Sequence, residues 1–192
     1  MAVDVSKLDA AWRASWGTTD PDPRAVSSRF PDACAVFRHV ADPPYYMTSR
    51  EDDTEVWRRY RTLVSHFLRA SGEDSLILVA CGWSSGTEPV PLDHYLADLL
   101  PDAVLWRSIP WAGQHVYASA ASPDDPAVRD VVLRAVEDLA DGVMLLDATG
   151  TWAVHPDLRS MIVLTREPEL LRQVTDAHPD WHGQPHRASP DW

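Results

Sequence analysis

Six apolar residues run without interruption from Leu76 to Cys81, fenced by Asp74 before and Gly82 after. A run this short, with no polar residue alternating through it, reads as a strand buried on both faces near the centre of a sheet. The chain then leaves the run through Gly82-Trp83-Ser84-Ser85-Gly86, where two glycines, two hydroxyls and a tryptophan are crowded together. The backbone scaffold of a site is expected there.

The 192 residues suit one domain with a full core. We divide them into a single α+β domain over residues 1–178 and an irregular tail over residues 179–192. The formal net charge of −12 argues against a nucleic-acid partner and favours basic partners. Only Lys7 among the seventeen basic residues is a lysine, the usage of a high-GC bacterial genome. Cys34 and Cys81 both lie in apolar strand-like runs, as reduced thiols of a cytoplasmic protein do. The first residues lack the basic-then-apolar pattern of a signal peptide, and no apolar run is long enough for a membrane span. Nine tryptophans demand a large core or an aromatic-lined surface.

Read in order, Ser6 with Asp9 opens a capped helix that carries Leu8, Trp12 and Trp16 and closes at Gly17. Thr18–Pro31 reads as a loop, Ala33–Val40 as a strand ended by Asp42-Pro43-Pro44, and 52–70 as a helix with one apolar stripe. After the central strand come a short helix around Leu96, a hairpin of Ala103–Ile109 with His115–Ala121, and a helix opened by Asp125-Pro126 with a stripe reaching Leu139. Three short strands follow (Gly142–Asp147, Thr151–His155, Arg159–Thr165), then a helix from Pro168. Short connections favour antiparallel pairing. The expected fold is α+β, a single mixed, mostly antiparallel sheet of about seven strands with helices packed on it.

Gly82-Trp83-Ser84-Ser85-Gly86 fits the G-x-S-x-G elbow of serine hydrolases, and Asp147 and His155 follow in the order of a triad. That elbow needs a helix starting at the serine. Pro89 and Pro91 oppose one, since proline inside a helix costs about 3 kcal/mol. The plainer reading is a glycine-rich strand exit. Cys81 beside His115 or His155 is a second candidate nucleophile, although burial holds a thiol protonated. His178, His182 and His186 recur every four residues, but Pro179, Gly183 and Pro185 break the helix that would align them, so no metal or other cofactor is expected. Arg58, Arg59 and Arg61 read as a solvated helix face before a phosphate clamp. Trp83, Trp106, Trp111 and Trp152 lie at strand ends or turns and could share one rim.

Trp12–Gly17, Phe37-Arg38-His39, Arg58-Arg59 with Thr62, Cys81-Gly82-Trp83-Ser84, His115–Ser119, His155-Pro156 and His178-Pro179-Asp180-Trp181 fall in an order that resembles an uncharacterised bacterial domain-of-unknown-function family, common in actinobacteria and bacilli. The resemblance spans most of the chain and implies a divergent member of that family with a soluble fold; it brings no activity. Here Phe37 and Arg38 are swapped, Pro43–Tyr46 replaces a basic turn, and Asp157–Ser160 replaces a glycine-rich acidic loop. Any polar site of the family would be altered at those points.

The functional expectation is a cytoplasmic binding protein, an acidic immunity-type or regulatory partner of a basic protein. Its expected contact surface comprises Arg38, His39, Trp83, Ser84, His115, Trp152 and His155. Two other classes compete with it. One is a serine or thiol hydrolase centred on Ser84 or Cys81, and the other a binder of small anionic ligands through Arg38 and His39.

Overall fold

The computed structural model describes residues 3–39, 50–85, 88–158 and 160–181. In chain order these form α1 (Val5–Trp16), α2 (Pro23–Arg29), β1 (Cys34–Arg38), α3 (Arg50–Ser71), β2 (Leu76–Trp83), α4 (His94–Leu99), β3 (Val104–Ile109), β4 (Gln114–Ala121), α5 (Pro126–Val136), β5 (Met144–Leu146), β6 (Trp152–Asp157), β7 (Ser160–Thr165) and α6 (Pro168–Ala177). The strands build one seven-stranded sheet in the order β1-β7-β6-β5-β2-β4-β3. Every pairing is antiparallel, so the parallel pair that a mixed sheet would hold is absent among the described residues.

β2 lies inside the sheet between β5 and β4, as its unbroken apolar run requires. Alternate residues serve two cores. Leu76, Leu78 and Ala80 join one with Leu145, Trp152, Val154 and the apolar stripes of α3, α5 and α6. Ile77, Val79 and Cys81 join the other with Met144, Ala153, Trp106 and the tryptophans of α1. The period of two is present but invisible in composition, because both faces are apolar. Helices therefore pack on both sides of the sheet.

Several local expectations are corrected. Asp4 caps α1, its carboxylate accepting the Lys7 N–H at 3.2 Å, so the cap lies two residues before the Ser6 that the sequence suggested. The stretch 18–31 is not all loop. Asp22 accepts the Ala25 N–H at 2.7 Å and Pro23 occupies the first turn of α2, the same aspartate-proline start that opens α5. α5 stops at Val136, where Asp138 turns left-handed at φ 62° and the Leu139 N–H closes onto the Arg134 carbonyl. Leu139 consequently leaves the stripe and is 60% exposed. Pro179–Trp181 forms a 3-10 turn. The tail over 182–192 and the proline turn at 42–44 fall outside the described residues.

Candidate functional site

Antiparallel register decides which strand ends meet. Gly82 pairs with His115, Val79 with Met144, His155 with Ile162, and Arg38 and Asp157 both with Ser160. One end of the sheet thus gathers the exits of β1, β2, β3 and β6 with the start of β4, and with them Arg38, His39, Trp83, Ser84, His115 and His155. Trp152 is at the other end, paired with Thr165, where it is buried and stacks on Phe67 at 5.2 Å. The six that share an end are also spread out. Five strand steps separate β1 from β4, roughly 24 Å at about 4.8 Å per step.

At the β2–β4–β3 corner the side chains do converge. His115 is fully buried, and each of its ring nitrogens meets a hydroxyl: Nε2 lies 3.0 Å from Ser84 Oγ and Nδ1 lies 3.0 Å from Ser108 Oγ. A neutral imidazole has one donor and one acceptor nitrogen, so this chain of three carries a single hydrogen-bond direction. Ser84 also donates its backbone N–H to the Gly113 carbonyl at 2.8 Å. Gly113 is left-handed at φ 65°, and a Cβ there would collide with the Ser84 carbonyl oxygen. The β3–β4 turn and the β2 exit are therefore locked together. Sequence reading did not single out Ser108, although the register of the predicted hairpin sets it directly opposite His115.

The elbow geometry is not formed. Among the described residues no helix starts at Ser84; the next one, α4, starts at His94. Asp147 sits just past β5, at the sheet end opposite Ser84, because Leu146 pairs with Ile77 at the start of β2. Its carboxylate accepts the Thr151 N–H and hydroxyl, both at 2.9 Å, and the Thr149 hydroxyl, which ties the β5–β6 turn. His155 uses Nδ1 on the Val143 carbonyl at 2.6 Å. The three predicted triad members bond separately.

Cys81 lies under Gly142, whose carbonyl is 3.9 Å from Sγ. Burial, with smaller contributions from Asp141 and Asp22, pushes its thiol up to about 12. Burial thus favours the protonated thiol over the nucleophilic thiolate near neutrality.

At the β1 corner His39 is buried and bonds through Nε2 to the Asp157 carbonyl. Since a carbonyl only accepts, Nε2 is the donor and Nδ1 an acceptor that meets no partner among the described residues. Burial brings His39 down to about 4, so the ring is neutral. It stacks on Tyr60 at 6.4 Å, and the Tyr60 hydroxyl likewise meets no partner among the described residues. Arg59 spans this corner, donating to Glu55 at 2.7 Å and to the Arg38 carbonyl at 3.0 Å.

Exposure separates the four tryptophans expected on a rim. Trp106 and Trp152 belong to the two cores, whereas Trp83 is 49% and Trp111 82% exposed. Trp83 pairs with Gln114, and Trp111 lies in the turn just before it, so both flank the Ser84–Gly113 lock. Among the described residues no group of three histidine, cysteine or acidic side chains could hold a metal ion, and no helix is long and apolar enough to cross a membrane.

The chain belongs to the family described as Domain of unknown function (DUF3885), which matches residues 25–183. No curated protein and no solved structure matches it.

Proposed function

We propose that this family member works by binding, as an acidic immunity-type or regulatory partner of a basic protein in a bacterial cytoplasm, and carries out no catalysis at its contact surface. The observation that carries the reading is the exposure of Trp83 and Trp111 on either side of one rigid corner. Large aromatic rings held out in water are the anchors of protein interfaces, and the backbone that carries them is tied at this corner by the Ser84–Gly113 bond and the Ser84–His115–Ser108 chain, which lowers the ordering cost of binding. The net charge of −12 would steer a basic partner toward the molecule and discourage nucleic acid. Capture from a high-GC bacterial lysate tests this. Wild type should retain a basic protein in a salt-sensitive manner, and a Trp83→Ala/Trp111→Ala double variant should lose it. Retention of acidic proteins alone, or equal capture by the double variant, would refute the reading.

A serine hydrolase is the second reading, and the 3.0 Å approach of His115 Nε2 to Ser84 Oγ favours it. His115 would take the Ser84 proton as that oxygen attacks a carbonyl carbon, and Ser108 would hold the ring where a carboxylate usually does. Fluorophosphonate labelling that disappears in Ser84→Ala would establish it; absence of labelling leaves the chain of hydroxyls and imidazole as scaffolding for the corner.

A further inference from the structure

The C-terminal end of the described chain is fastened to α3 through a ladder of rings. His178 follows α6, and the Trp181 N–H returns to the His178 carbonyl at 3.0 Å. The two rings stack at 4.0 Å with 7° between their planes. Arg58 and Arg59 of α3 place their guanidinium carbons 5.3 and 4.9 Å from the Trp181 ring centre. Two turns further along α3, His66 meets His178, Nε2 to Nε2, at 3.1 Å with the rings nearly perpendicular.

Two ring nitrogens at that separation need one proton between them. A neutral pair has it, one Nε2–H donating to the other Nε2, and a singly protonated pair has it too. With both rings protonated, two N–H groups and two positive charges face each other and the bond is gone. We infer that the His66–His178 pair is a pH-operated latch: it holds Trp181 over Arg58 and Arg59 while either ring is neutral, and lets that segment go when both are protonated.

The surroundings all resist the second proton. Burial lowers the pKa of both rings; His66, Arg58 and Arg59 add to this at His178, and Arg69 adds to it at His66. The acids near these elements are already engaged, Glu55 by Arg58 and Arg59, and Glu169 and Asp176 of α6 by Arg172. Asp180, in the 3-10 turn, is exposed. A pKa below the ordinary imidazole value of about 6.5 means that the closed form is favoured above that pH and weakens as pH falls through it. Opening would uncover Arg59, now only 7% exposed beneath Trp181, and so present a basic patch on an acidic protein.

Amide hydrogen exchange of the full chain, corrected for intrinsic rates, reads the latch directly. Between about pH 7.5 and about pH 5, protection at His178 and Trp181 should fall roughly tenfold or more, while β2 amides report that the fold is intact. His66→Gln keeps a neutral acceptor for His178 and should hold protection high at both pH values; His66→Phe should give low protection at both. Equal protection in wild type at the two pH values, or an undiminished pH dependence in His66→Gln, would overturn the latch.

Discussion

Single positions carry unequal risk even where the residue type is the same. Gly142 and Gly72 are both left-handed, at φ 61° and 71°, but a Cβ at Gly72 meets nothing whereas one at Gly142 would strike the Cys81 side chain. Gly72→Ala should therefore cost the backbone term alone, about 1 kcal/mol, and Gly142→Ala about 2–4 kcal/mol, because overpacking is added. Urea denaturation of the pair checks this, and equal midpoints would contradict it. His39 gives a pH prediction at the same scale. Its folded pKa of about 4 lies below the ordinary 6.5, so the unfolded chain binds the proton first and stability falls as pH drops from 6.5. The loss is complete below about 4 and amounts to something on the order of 3 kcal/mol. His155 is shifted the same way by burial. Unfolding free energies across that range should decline in wild type and decline less steeply in His39→Gln, where His155 still contributes; parallel slopes would disprove the assignment.

Among the elements, α1 and α2 are held by few but specific ties. Trp16 donates its ring N–H to the Gly150 carbonyl at 2.7 Å, and Trp12 to the Thr19 carbonyl at 2.8 Å. The Trp16 bond pins α1 over the β5–β6 turn that Asp147 organises, and the Trp12 bond ties the segment after α1 back onto it. Trp16→Phe keeps most of the volume and loses the bond, so it should cost about 1–2 kcal/mol, against about 3–5 for Trp16→Ala. Asp22→Ala removes the cap of a seven-residue helix and should cost about 1 kcal/mol. Thermal melts of the three variants test the order, which would fail if the cap mutation proved the worst. α3 differs in kind, since its inward stripe sits at the heart of one core and its other residues hold Trp181, His178 and Asp124.

For the whole molecule, the net charge of −12 places self-repulsion on a fold whose stability comes from two cores. Screening should relieve it. The melting temperature at pH 7 is expected to rise by a few degrees between about 0.01 and 0.3 M sodium chloride, as the Debye length shrinks from about 30 Å toward 5 Å. A falling melting temperature would mean that the surface ion pairs outweigh the net charge. The same field would weaken with salt in the proposed complex with a basic protein, so stability and affinity should move in opposite directions.

The amino-acid sequence alone specified the elements whose signals are local. The apolar run of β2, the stripe of α3, the aspartate-proline start of α5 and the short late strands needed only neighbouring residues to be read, and antiparallel pairing followed from their short connections. α2 carried the same aspartate-proline signal, masked by its brevity. Tertiary structure alone decided which residues share a corner. Register brought Ser108, His115 and Ser84 together and sent Asp147 and Trp152 to the far end, because in a sheet a side chain's neighbours come from strand order and register rather than from distance along the chain.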